Sequence, residues 1–202
     1  MMETVWELIW AYGKGLAAMN EPRLHRRSIR LPGWDYRAAG CYFVTIVTYQ
    51  RRHLFSDAKL YEIAAYGWTN IPKQPHASRL AIDEWVLMPN HIHGIIHMLS
   101  DPEPNAGGPP NPTSCPPGSL GAIIGNYKML VAKRIKAALR ASGTDLRIWH
   151  RGYYERIIRD PAGLAAVRRY IQANPSRWAD DRDNLRQLLS RMDHITHPRP
   201  QS

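Results

Sequence analysis

Apolar residues along the chain alternate between two periods, and the switches lay out an order of elements. From Gly40 to Arg51 the run CYFVTIVTYQ is dense in β-branched and aromatic residues and predicts a strand. Leu60, Ile63, Ala64 and Trp68 then recur at helical spacing as far as Asn70, with Ser56 or Asp57 placed to cap the helix. Leu80 to Met88 and His91 to Met98 read as two strands joined by a turn at Pro89-Asn90. The longest helical pattern runs from Ser119 to Ala141. Leu120, Ile123, Ile124, Tyr127, Leu130, Val131 and Ile135 line one side, and Ser142-Gly143 is the stop. Arg147 to Asp160 predicts a strand or extended ribbon. Asp160 is then an N-cap and Pro161 the first helical residue, and the helix passes through Leu164, Val167, Tyr170 and Ile171 to about Asn174, before Pro175.

Strands interrupted by helices in the order β, α, β, β, α, β, α give an α+β class, an antiparallel sheet with helices on one face. The chain has 202 residues, 44% of them hydrophobic, enough for one substantial core. We divide it into an N-terminal extension (1–22), a single domain (23–180) and a polar tail (181–202). The extension carries Val5, Ile9 and Leu16 near one side of a short helix weakened by Gly13 and Gly15. Residues 101–118 hold seven prolines and three glycines and read as a linker within the domain. The tail has room for one more helix, Asp183 to Met192.

Charge narrows the function classes. Lys and Arg number 27 against 17 Asp and Glu, a formal +10 with a pI near 9.9, which suits a polyanionic partner, nucleic acid before membrane. Two cysteines, Cys41 and Cys115, form no disulfide framework and no CxxC pair, so a reducing cytoplasm is the expected location. No segment approaches the roughly 18 apolar residues of a membrane span, and no basic leader precedes an apolar run. Walker, GxSxG, HExxH and dinucleotide-binding patterns do not occur.

Three constellations carry candidate chemistry. His91 and His93 alternate on a strand, so their imidazoles share a face with Cα atoms roughly 7 Å apart. That spacing suits a chelating pair with open coordination positions, and it equally suits two buried, hydrogen-bonded side chains. His97, on the same face, is a further ligand candidate or a surface histidine at the strand end. Tyr170 and Asn174 stand one helical turn apart on one face: a phenol and an amide beside a metal, or ordinary core and a helix stop. The third constellation is basic and aromatic: Arg26, Arg27, Arg30, Tyr36 and Arg37 in the arm before the first strand, Lys128 and Lys133 on the long helix, and Arg147, Arg151, Tyr153, Tyr154, Arg156 and Arg159 after it. Rings interleaved with cations stack on unpaired bases while tracking phosphates, and the same residues also serve as a solvated face with strand packing.

Read together, RRSIRLPGWDYRAAGCYFVTIVT (26–48), AIDEWVLMPNHIHGII (81–96), IWHRGYYERIIRD (148–160) and RRYIQANPSRW (168–178) resemble the REP-associated tyrosine transposases, a branch of the single-tyrosine HUH transposases. The likeness covers roughly residues 26 to 178 and leaves the first 20 residues and the proline-rich insert outside it. It implies a ferredoxin-like or RRM-like sheet presenting His91 and His93 to Mg²⁺ or Mn²⁺, with Asn174 as third ligand and Tyr170 as nucleophile on a catalytic C-terminal helix. The implied reaction cleaves and rejoins single-stranded DNA at hairpin-forming repeats through a 5′-phosphotyrosine. The implied partner is a repetitive extragenic palindrome-like hairpin, the enzyme acting as monomer or homodimer. The competing reading is a domesticated relative that binds structured single strands without cutting them.

Overall fold

The computed structural model describes residues 34–74, 77, 79–99, 115, 117–139 and 146–178. The expected N-terminal helix, Arg26, Arg27 and Arg30, most of the proline-rich linker and the C-terminal tail lie outside them. Seven elements follow in order: β1 (Gly40–Val47), α1 (Ala58–Thr69), β2 (Leu80–Met88), β3 (His91–Met98), α2 (Leu120–Ala138), β4 (Tyr154–Ile158) and α3 (Pro161–Arg177). Short 3₁₀ turns at Tyr49–Arg51, Leu54–Ser56 and Ile71–Lys73 flank α1. The strands form one antiparallel sheet in the order β2-β3-β1-β4, the split arrangement of ferredoxin-like domains.

Caps fall where side-chain chemistry places them. Asp57 accepts from the Leu60 amide at 3.0 Å, the Ser119 hydroxyl from Ala122 at 3.3 Å, and Asp160 from Gly163 at 2.7 Å. Alternation along β1 then divides the molecule. Tyr42, Val44 and Ile46 face a large core with Ile92 and Ile96, covered by Leu60, Ala64 and Trp68 of α1 and Ile124, Tyr127, Val131 and Ile135 of α2. Phe43 faces the other way, into a smaller cluster with Ile95, Ile158 and the α3 residues Val167 and Ile171. Two helices therefore share one face of the sheet, and α3 alone covers the other. Gly94 lets the larger side close. A Cβ there would stand 2.3 Å from Trp68 Cζ2, so only a hydrogen admits the fully buried indole.

Two element boundaries depart from the sequence pattern. Only Tyr154–Ile158 of the expected 147–160 strand pairs along β1, with Trp149 adding an isolated bridge to Thr48. Gly152, at φ +78°, turns the chain between these stretches, and the Lys128 ammonium donates to the carbonyls of His150 (2.8 Å) and Gly152 (2.7 Å) to hold the turn. The other departure is α3, which continues through Pro175 to Arg177. Proline lacks the N–H for an i−4 bond, but this is the last turn, where Ser176 Oγ donates to the Ala173 carbonyl at 2.9 Å and the Trp178 amide to Pro175 at 3.3 Å. The extra turn carries Trp178 back over the sheet.

Candidate active site

The site forms where the α3-facing side of the sheet meets the first residues of β3. Register pairs Thr45 with His93 and Val47 with His91 on one flank, and Val86 with His93 on the other. Directly opposed residues of antiparallel strands share a face, so Tyr154, Thr45, His93 and Val86 form one row across all four strands. His91 is 3% exposed and His93 fully buried. Burial holds both imidazoles neutral: it pushes His91 down to about 3, and His93 well below the ordinary histidine range with His91 as a second cause.

Each ring is oriented through Nδ1. His91 Nδ1 lies 2.7 Å from Asn90 Oδ1, a carbonyl oxygen that can only accept, so the proton sits on Nδ1 and the Nε2 lone pair is left over. That Nε2 is buried with no hydrogen-bond partner among the described residues. His93 Nδ1 lies 2.7 Å from Thr45 Oγ1, and its Nε2 lies 3.2 Å from the Tyr170 hydroxyl. Donation from Nδ1 to Thr45 leaves Nε2 to accept from the phenol. The rings sit 4.4 Å apart, centroid to centroid.

A buried, partnerless nitrogen lone pair costs free energy unless something occupies it. Two imidazoles with Nδ1 tied to an amide oxygen and a hydroxyl have the orientation by which outer-shell groups prepare histidines for a metal ion. The donor set at the His91–His93 pair fits a divalent cation. Among the described residues no three His, Cys, Asp or Glu side chains converge to hold a metal, so a third protein donor drawn from them would be an amide or hydroxyl oxygen.

Tyr170, Asn174 and Trp178 are spaced four apart and form one stripe. Tyr170 sits on His93 with ring centroids 5.4 Å apart, and Trp178 sits on His91 at 5.9 Å. Half-buried Asn174 lies between these two contacts, on the stripe that faces the histidines. Phe43 meets Tyr170 edge-on at 6.0 Å and backs the phenol ring.

A bulge in β2 fixes the helix. Ile82 pairs with Ile96 and Trp85 with Gly94, so Asp83 and Glu84 together oppose one residue of β3. Both Ile82 and Trp85 pack toward the larger core, and the two acids turn toward α3. Asp83 takes a bidentate pair from Arg168, 3.0 Å from Nε and 2.5 Å from Nη2, and Glu84 accepts from Gln172 at 3.1 Å. His97 Nε2 also meets Asp83 at 2.7 Å while its Nδ1 lies 3.2 Å from Cys41 Sγ, so this histidine belongs to the helix clamp and not to the His91–His93 pair. Arg168 first, then the hydrogen bond from His97, holds the Asp83 carboxyl down at about 2.

The basic and aromatic candidates separate. Tyr154 and Arg156 lie on the face shared with Thr45 and Phe43, beside the site. Lys133 and Arg151 are exposed. Tyr36 is instead buried against Tyr42 at 6.0 Å in the larger core, which removes its ring from any nucleic-acid surface. Tyr153 is half-buried against the same core. Lys128 holds the 150–152 turn, and its burial lowers the amine to about 8. Arg37 is exposed but paired with Asp35 at 3.0 Å. Sequence reasoning missed Thr45, Asn90 and Trp178. Asn90, next to the histidines in PNHIH, had a signal; Thr45 had none without the register.

No protein-family model matches the chain. In three dimensions it is similar to a REP-associated tyrosine transposase solved bound to a REP hairpin, at 18% identity, a TM-score of 0.46 and 73% of each chain covered. In sequence it is 34% identical over 171 residues to an uncharacterized protein of Haemophilus influenzae, spanning 78% of this chain and 92% of the other. At that identity, over nearly the whole of its relative, the chain belongs to the same family as the Haemophilus influenzae protein.

Proposed function

We propose that the protein is a divalent-ion-dependent transposase that cleaves and rejoins single-stranded DNA beside hairpin-forming repeats, with Tyr170 as nucleophile. One observation carries the reading: the Tyr170 hydroxyl rests 3.2 Å from His93 Nε2, beside the unpartnered Nε2 of His91. A phenol hydrogen-bonded to His93, the unpartnered Nε2 of His91 and, one helical turn along α3, Asn174 thus stand on one side of the sheet. The motif resemblance at residues 81–96 and 168–178 supports the same roles.

His91, His93 and Asn174 would hold Mg²⁺ or Mn²⁺. Such an ion draws charge from the nonbridging oxygens of a phosphodiester as it builds in the transition state. The chain's own groups do the rest. Asn90 and Thr45 hold the two rings through Nδ1 and leave both Nε2 atoms as the acceptor side, and the Asp83–Arg168 clamp ties α3 to the sheet. Tyr170 gives up its hydrogen bond to His93 and attacks phosphorus in line. The bond from phosphorus to the 3′ oxygen breaks, the proton lost by the phenol is balanced by the one the leaving 3′ oxygen takes up, and the strand remains joined through a 5′-phosphotyrosine. Because one phosphodiester replaces another, a free 3′-hydroxyl can reverse the step onto a second strand without ATP.

Incubation with a 5′-tailed DNA hairpin and Mn²⁺ should yield a protein–DNA adduct resistant to boiling in detergent. Tyr170→Phe abolishes it while hairpin binding persists. An adduct that survives the substitution would exclude Tyr170. Hydrolysis without an adduct, unchanged in Tyr170→Phe, would point to a water-using phosphodiesterase.

A further inference from the structure

The end of the site beyond His91 is built from residues the reaction above does not use. Trp178, on the last turn gained when α3 runs through Pro175, lies 5.9 Å from the His91 ring and 5.6 Å from His53, both centroid to centroid. It is half-buried, and His53 is exposed. The indole touches both His91 and His53 and closes this end of the site, with part of its surface toward solvent.

The loop bearing His53 is held to the site by two ties. Thr48 Oγ1 lies 2.8 Å from the Arg52 carbonyl and 3.0 Å from that of Asn90, the residue that orients His91. Between these ties Gln50 and Arg51 both have φ +53°, a left-handed backbone that costs free energy for residues with a Cβ. The loop also carries charge. Arg52 and Arg147 each place a guanidinium carbon over the Tyr49 ring, at 5.7 and 5.6 Å, and Arg52 also donates from Nη2 to Gln50 Oε1 at 3.0 Å. Arg147 reaches this ring because the Tyr49 amide donates to the Ile148 carbonyl and His150 to Val47. Two rings beside His91 and two guanidinium groups on the adjoining loop bring together the stacking platform and phosphate grip that single strands use.

We infer that Trp178 and His53 form a stacking subsite for one unpaired DNA base next to the phosphate at His91 and His93, and that Arg52 and Arg147 take the adjoining backbone phosphate. The inference rests on the single-strand transposase reading above and adds a position to it. The nucleotide beside the scissile bond is held by its π-face, so the subsite tolerates any base but requires it to be unpaired.

The test uses the full chain and a DNA hairpin with unpaired thymidine tails, with 2-aminopurine scanned through the tail one position at a time. At one position wild type quenches the 2-aminopurine emission, the signature of a stacked base. Trp178→Phe keeps the quenching, whereas Trp178→Ala loses it and weakens tail binding by about tenfold. Tyr170→Phe quenches like wild type, since the subsite holds DNA before bond breaking. If Trp178→Ala binds and quenches as wild type does, the subsite is wrong and the transposase reading stands. If the quenching depends on Trp178 but no covalent adduct forms with Mn²⁺, the subsite stands and the transposase reading fails.

Discussion

His91 and His93 set a condition on stability as well as on chemistry. Their folded-state pKa values lie below the unfolded value near 6.5, His91 at about 3, so the folded protein cannot take up protons that the unfolded chain can. Their contribution is complete above about pH 6.5 and is lost as pH falls from there toward 3. Each histidine adds a slope of up to about 1.4 kcal/mol per pH unit in that window. Urea melts between pH 7 and 4.5 should show the midpoint falling with acid, and His93→Gln should flatten the slope whatever it does to the midpoint at pH 7. An unchanged slope would mean that His93 is solvated. At this scale the sequence showed which residue types could chelate. It could not show that Asn90 and Thr45 aim the rings, because a hydrogen-bond partner across a sheet depends on register, and Thr45 lies 48 residues away from His93.

At the scale of elements the main event is the clamp between the β2 bulge and α3. Alternation in AIDEWVLM breaks at Asp83-Glu84, and two successive acids turn toward the same helix because the bulge adds a residue to one strand only. Arg168 is two residues from Tyr170 on α3, and its exposed pair with Asp83 serves placement more than stability. Arg168→Ala should lower the rate of adduct formation by about tenfold, since small displacements of a positioned nucleophile are costly. Hairpin affinity and melting temperature should change little. Lost affinity in step with rate would instead assign Arg168 to DNA contact. Most elements were legible in the hydrophobic pattern: both strands around Pro89-Asn90 lie where the pattern predicts, as do the caps at Asp57 and Asp160. The pattern misplaced the end of α3, because the rule that proline breaks helices holds for interiors and is relaxed in the last turn, and it overextended β4 past the Gly152 turn.

Across the whole molecule the excess of positive charge becomes a prediction about salt. A single strand held by about four phosphate contacts should lose about fifty-fold in affinity between about 50 and 200 mM salt, following a log-log slope of about −0.7 per contact. Fluorescence anisotropy with a labelled hairpin measures it, and a flat response would remove backbone phosphates from the interaction. The charge is not spread as the sequence suggested. Lys128 and Arg37 are committed within the fold and Tyr36 is in the core, whereas Arg147, one of the expected cations, shares the Tyr49 ring with Arg52 from a stretch far away in sequence.

The amino-acid sequence by itself determined the α+β class, the strand that carries two alternating histidines, the helix that carries Tyr170 and Asn174, and the basic balance of the chain. These are properties of spacing and residue type, which a strand or helix period converts directly into shared faces. Tertiary structure decided that α3 crosses the face of the sheet opposite α1 and α2, that its Tyr170, Asn174 and Trp178 stripe lies along the histidines, and that His97 joins the clamp instead of the pair. Those outcomes depend on strand order, register and one added residue in β2. A shift of a single residue would turn every side chain of a strand to the other face, and no local pattern encodes which register wins.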